Sequence, residues 1–160
     1  MLRRKIATIV TLLILSGITC ELKAQARKSG RLNSLRLSES FVRGNSNLSI
    51  LTVLGYRYLL NEEIRGGADF GYHSGMYQDS HLREYNIAGS IDFTYSRGRT
   101  VEFYGSAGAG YGLFTGNHVN KFLYQVNPLA MRLGNGSLAG FAELGWGYRG
   151  LITSGLAYRF

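Results

Sequence analysis

The residues best suited to do chemistry lie in a short polar stretch, where His73, Ser74, Asp79, Ser80 and His81 bring together a hydroxyl nucleophile, imidazole bases and a carboxylate. Acyl transfer or hydrolysis needs such a set, with the base in hydrogen-bond reach of the nucleophile and a third group orienting the base. The stretch supplies residue types without a spacing that enforces that geometry, and Ser, His and Asp are also ordinary loop residues. His118 stands apart, and no metal-ligand spacing links the three histidines. A glycine-rich run from Gly105 to Gly112 superficially resembles a phosphate-cradling loop. Such a loop must open a helix, and nothing nearby has helical period. No catalytic, cofactor-binding or metal residue is therefore assigned, and no cofactor is expected.

A different set of charged residues recurs at strand spacing. Arg36, Arg57, Arg65, Asp69, Asp92, Glu102, Glu143, Arg149 and Arg159 each alternate with bulky apolar neighbours. The two signs are nearly matched. If these residues share an interior they must pair across strands, because an unpaired charge in a low dielectric costs several kcal/mol. They are assigned to a lumen ion-pair network.

The elements that position them are eight segments of period two. The clearest sets Tyr85, Ile87, Ile91, Phe93 and Tyr95 against Asn86, Ala88, Ser90, Asp92 and Thr94. Another opposes Val101, Phe103, Ala107, Ala109, Tyr111 and Leu113 to Glu102, Tyr104, Ser106 and Gly108, Gly110 and Gly112. In a third, Ala142, Leu144, Trp146 and Tyr148 oppose Glu143, Gly145, Gly147 and Arg149. In the sixth segment Phe122, Tyr124 and Val126 share one phase while Leu129, Met131 and Leu133 share the other, so a bulge is expected at Asn127-Pro128. Turns are expected at Arg43–Asn47, Asn61–Glu63, Ser96–Arg99 and Gly134–Ser137. The longest loops are expected at Tyr77–Arg83 and Thr115–Asn120.

Composition agrees with strands whose outer face is apolar. Gly 22 with Pro 1, Tyr 11 and Phe 8 suits a narrow barrel with small side chains inside and aromatic girdles outside. Tyr56, Tyr58, Tyr72, Tyr95, Tyr111, Trp146, Tyr148, Tyr158 and Phe160 fall near segment ends, where amphipathic rings meet lipid headgroups. A soluble lipid-carrying barrel would turn its apolar face inward instead.

At the N-terminus, Arg3, Arg4 and Lys5 precede an apolar stretch from Ile6 to Ile18, and Ala24-Gln25-Ala26 offers a cleavage site. The chain is read as a cleavable signal peptide over 1–26 and a barrel domain over 27–160. Thr19 and Gly17 are poor flanks for lipidation at Cys20, the one cysteine. Arg3, Arg4, Lys5 and Lys23 against Glu21 account for three units of the +8 formal charge, which leaves +5 on the mature chain. The basic residues of the mature chain are scattered, which argues against nucleic acid and suits an anionic lipid surface.

The last residues alternate through Ile152, Leu156, Tyr158 and Phe160, an ending similar to the C-terminal assembly signal of Gram-negative outer-membrane barrels. The stretch Asn127–Phe160 resembles the C-terminal hairpins of small outer-membrane β-barrel proteins common in Bacteroidota. Its Asn-Pro-Leu start, Phe-Ala-Glu-Leu-Gly-x-Gly-Tyr-Arg-Gly run and Gly-Leu-x-Tyr-x-Phe end carry the likeness. The resemblance implies an outer-membrane barrel and transfers no functional residues.

The expected fold is all-β: an eight-stranded antiparallel up-and-down transmembrane β-barrel. Eight strands leave an interior that side chains just fill, which argues against a diffusion porin. The expected protein is a non-enzymatic, monomeric outer-membrane barrel of envelope or surface role. Its expected partners are outer-membrane lipid and lipopolysaccharide, with the barrel-assembly machinery during biogenesis. The alternatives are a lipid A acyltransferase or deacylase, and a soluble periplasmic lipid-binding barrel.

Overall fold

A computed structural model of the chain describes residues 32–43, 48–77, 80–114 and 121–160. The expected signal peptide, the turn at 44–47, Asp79 and the loop at 115–120 with His118 lie outside the described residues. Eight strands follow one another: β1 (Asn33–Arg43), β2 (Leu48–Leu59), β3 (Ile64–Tyr77), β4 (Ser80–Arg97), β5 (Val101–Phe114), β6 (Lys121–Leu133), β7 (Leu138–Gly147) and β8 (Ile152–Arg159). Each pairs antiparallel with the next, and β8 returns to β1, so the sheet closes on itself. Closure leaves no edge strand whose backbone groups would need water.

Side chains divide by parity, and the division is the reverse of a soluble barrel's. Along β2, Leu51, Val53 and Arg57 are buried while Ile50, Leu54, Tyr56 and Tyr58 are exposed. Leu37 is 56% exposed between Arg36 and Ser38, each 3% exposed. Exposed leucines, isoleucines and aromatics cover every strand, a continuous apolar surface far beyond what a water-facing monomer carries. This polarity excludes the soluble lipid-binding barrel, whose apolar face would line the interior.

Two irregularities reset the alternation. Between Val126 and Leu129 the β6–β7 register shifts, with Asn127 buried and both Pro128 and Leu129 exposed, which is the bulge expected at Asn127-Pro128. A second shift lies between Thr94 and Ser96 on β4 and was not signalled by the sequence. There the Tyr95 ring lies over Gly105, where any Cβ would collide with its hydroxyl.

The β3–β4 connection corrects the expected long loop at Tyr77–Arg83. Strand pairing continues to Tyr77 opposite Ser80, which places His73 and Ser74 in β3 and Ser80 and His81 in β4. Asn61 builds the β2–β3 turn, its Oδ1 accepting from the backbone N–H of Glu63 at 2.9 Å and of Ile64 at 2.7 Å. Tyr148, expected to face outward after Trp146, is instead half-buried in the β7–β8 turn, where Gly147 and Gly150 adopt φ of 136° and 81°.

At the seam, the backbones of Asn33 and Phe160 exchange two hydrogen bonds of 3.0 Å, and the Phe160 ring stacks on Tyr158 at 6.0 Å. Removing Phe160 deletes this last bonded pair. In lipid refolding followed by heat-modifiable gel mobility, the truncated chain should give a markedly smaller folded fraction than the full one.

Candidate functional site: the buried charge network

Strand parity brings the inward charges of seven strands onto one axis. Asp92 of β4 is the hub. Its carboxylate pairs with Arg36 of β1, with Arg57 of β2 through Nε at 3.4 Å, and with Arg132 of β6 through Nη2 at 3.5 Å. Arg57 also grips Asp69 of β3 with two parallel bonds of 2.8 Å, the bidentate geometry a guanidinium offers a carboxylate. Ser90 donates to the same carboxylate at 2.9 Å.

Toward the β4–β5 turn, Glu102 collects Arg65 at 2.6 Å and Arg132 at 3.0 Å, with the Thr94 hydroxyl donating at 3.1 Å. Arg97 stands 3.7 Å from the same carboxylate. On the opposite wall, Glu143 of β7 accepts from the Tyr104 hydroxyl at 2.8 Å and from Asn127 Nδ2 at 2.9 Å, and pairs with Arg149 at 3.2 Å. Asn127 also donates to Ser106 and accepts from Gln125, so the residue that forms the bulge carries a side-chain chain of its own. Two guanidinium groups lie over the Tyr104 ring, Arg132 at 4.5 Å and Arg36 at 5.5 Å from its centroid.

Each residue assigned to the lumen from sequence has a place in this description. Arg36, Arg57, Asp69, Asp92, Glu102, Glu143 and Arg149 are buried inside the barrel, and Arg65 reaches Glu102 from β3. Arg149 enters from the β7–β8 turn rather than from a strand, with Nη1 3.9 Å from Asp69. Arg159 lies at the other end, its Nη2 donating to the Gly134 carbonyl at 2.6 Å. Of the ending Ile152, Leu156, Tyr158 and Phe160, all four side chains are exposed on the outer face.

Sequence reasoning omitted Arg132, which is 2% exposed and bridges Asp92 to Glu102. The signal was present: once the bulge resets the phase, Arg132 falls opposite Met131 and Leu133. Tyr104, Gln125 and Asn127 were likewise missed as network members, because polar neutrals leave no charge pattern.

Of the candidate catalytic residues, the side chains of His73 and Ser74 are described, and these two do not converge. His73 and Ser74 are consecutive in β3 and point to opposite faces, His73 toward Glu84 with Nδ1–Oε2 at 3.4 Å and Ser74 outward. Among the described residues, no group of three or more His, Cys, Asp or Glu could hold a metal ion. The chemistry this interior offers is electrostatic crosslinking of strands.

No protein-family model and no curated protein matches this chain. Among solved structures it is similar to a de novo designed transmembrane β-barrel, with a TM-score of 0.54 and 17% identity over 81% of this chain and 95% of the other. It is also similar to the outer membrane protein Ail of Yersinia pestis, at TM-score 0.49 and 16% identity in a phospholipid nanodisc, over 80% of this chain and 97% of Ail. Against the crystal structure of Ail the TM-score is 0.44, at 19% identity over 81% and 97%. The fold is that of a transmembrane β-barrel.

Replacing Asp92 with Ala leaves three arginines without their shared counter-ion. Removing one partner of a buried pair costs about 3–5 kcal/mol. Denaturant unfolding of the lipid-reconstituted barrel should show Asp92→Ala destabilised by about that amount, well beyond any effect of Ile87→Ala on the lipid-facing side of the same strand.

Proposed function

We propose that the chain is an integral outer-membrane barrel that acts without catalysis, as a structural or surface-interacting component of the envelope, with a lumen closed by side chains. The carrying observation is Asp92, whose carboxylate joins arginines from β1, β2 and β6 across the barrel axis. A path for solutes would have to part these pairs in a low-dielectric interior, where separating them costs several kcal/mol. The outer-membrane address rests on the leader-like segment at 1–26, on the ending Ile152, Leu156, Tyr158 and Phe160, and on the Bacteroidota-type pattern of Asn127–Phe160. In this reading outer-membrane lipid and lipopolysaccharide surround the exposed apolar face, and the barrel-assembly machinery reads the ending during biogenesis.

The opposed faces of His73 and Ser74 support a non-enzymatic role over lipid A modification. Their adjacency in one strand keeps the hydroxyl out of the imidazole's reach.

In planar bilayers the reconstituted barrel should produce no discrete conductance steps; stable open channels of uniform size would refute the closed lumen. Lipid A from cells with and without the chain should give the same acylation pattern by mass spectrometry. A gained or lost acyl chain would establish the enzymatic alternative.

A further inference from the structure

The charges in the middle of the bore cancel. Among the described residues, four buried arginines, Arg132 one of them, stand against four buried carboxylates, Glu102 one of them. Two further arginines on the inward phase, Arg65 at the start of β3 and Arg97 at the end of β4, lie at the barrel end where β1 begins and β8 ends. The bore holds no carboxylate beyond the balanced set for them to share at this end, since Glu84 stands at the opposite end beside His73. On the β2–β3 turn, Glu62 and Glu63 are exposed, and the ion pairs of Arg65 and Arg97 run to Glu102 instead. Arg159 of β8 stands at the same end, bound to the Gly134 carbonyl.

Strand register turns both arginines into the bore, Arg65 opposite Asp92 and Arg97 opposite Glu102. They converge on a carboxylate that is already shared. Glu102 Oε1 takes Arg65 Nη1 at 2.6 Å, Arg132 Nη1 at 3.0 Å and the Thr94 hydroxyl at 3.1 Å, with Arg97 Nη2 at 3.7 Å. Three guanidinium groups therefore crowd one negative charge, a local excess of two. Arg97 donates to the Glu62 carbonyl at 2.7 Å, while its Nε is buried without an acceptor. Side-chain exposure rises from 2% at Arg132 to 11% at Arg65 and 20% at Arg97, so the cluster opens at this mouth.

We propose that Arg65 and Arg97, backed by Arg132, bind a phosphate dianion at this mouth. Planar guanidinium forks match the oxygens of a phosphate, and an anion between converging like charges relieves their repulsion. A phosphate monoester carries about −2 at neutral pH, which meets the local excess, whereas a carboxylate would cancel half of it. The bore presents these groups, while Tyr95, between Thr94 and Ser96, takes the lipid side of the same strand at 63% exposure. The ligand is therefore a soluble phosphate from the compartment beyond this mouth, not the head group of a surrounding lipid. The site rests on the outer-membrane reading, in which the end carrying Asn33 and Phe160 faces the periplasm.

The test is isothermal titration calorimetry of inorganic phosphate into the full chain folded in dodecyl maltoside, a detergent without phosphate, at fixed ionic strength. Binding at about millimolar or tighter is expected, with sulfate competing and chloride not. Arg65→Gln and Arg97→Gln should each weaken it about tenfold or more, the loss of a charge-assisted hydrogen bond. Arg99→Gln, at an exposed arginine of the neighbouring turn, should leave it within about twofold. Both glutamine variants of the site keep Glu102 paired with Arg132, and heat-modifiable mobility is read on every sample. With that mobility normal, the site is overturned by absence of phosphate binding, by equal displacement with chloride, by undiminished binding in Arg65→Gln and Arg97→Gln, or by an equal loss in Arg99→Gln. If phosphatidylglycerol added to the micelles binds and inorganic phosphate does not, the arginines serve the lipid leaflet and the lumenal site is likewise overturned. Should a glutamine variant lose the mobility shift, the sulfate and chloride competition in the unaltered chain still decides. Absence of the shift from the unaltered chain refutes the membrane reading itself, a failure distinct from that of the site.

Discussion

Everything in this molecule follows from the closure of β8 onto β1. In a lipid interior an unpaired backbone N–H or C=O costs several kcal/mol, so a sheet can survive there only if its two edges satisfy each other. Apart from Arg36 and Arg159, the seam residues on the inner face are small or hydroxylated, which lets the strands meet. Gly155 lies so near the Leu37 carbonyl and Ser38 that a Cβ would strike them, Ala157 is fully buried, and Ser40 and Thr153 share a hydrogen bond of 2.8 Å across the joint. The outer face, relieved of any need for water, presents leucine, isoleucine and aromatic side chains instead.

Closing at eight strands also fixes what the interior can contain. The bore is about as wide as the side chains that enter it, so each inward residue meets residues from across the barrel as well as its strand neighbours. Charges placed there have no solvent to screen them and must find opposite charges. Arginine suits this arrangement because one planar guanidinium can serve two carboxylates, as Arg57 does with Asp69 and Asp92, and Arg132 with Asp92 and Glu102. Tyr104 packs its ring against two such groups while its hydroxyl donates to Glu143. The network ties strands distant in sequence, and through Arg149 it also holds the β7–β8 turn down onto the barrel end.

Much of this architecture is legible in the sequence. Period-two alternation identified the strands and their faces because lipid on one side and a packed bore on the other impose opposite chemistry on neighbouring residues. The Asn127-Pro128 bulge was readable because proline and a phase reversal coincide there. The Thr94–Ser96 irregularity was not, since it depends on Gly105 of the next strand yielding space to Tyr95. The strand ends around Tyr77 and Ser80 were mistaken for a loop for a related reason. At 14 and 18 residues, β3 and β4 exceed the roughly 9–11 that cross a bilayer, so their paired ends run past the length that the alternation marks. Arg132 shows the remaining gap: its inward phase could be inferred, but the carboxylates it bridges come from β4 and β5 and are visible only once the barrel is closed.

The central claim is that one face of every strand meets lipid while the other meets a packed, charged interior. Nitroxide labels placed singly along β4 from Ile87 to Phe93 in the bilayer-reconstituted protein test it directly, by their accessibility to oxygen dissolved in lipid and to a polar relaxant in water. Oxygen accessibility should be high at Ile87, Gly89, Ile91 and Phe93 and low at Ala88, Ser90 and Asp92, with the polar relaxant excluded from both sets. Uniform accessibility, the opposite phase, or free entry of the polar relaxant at Asp92 would contradict the account.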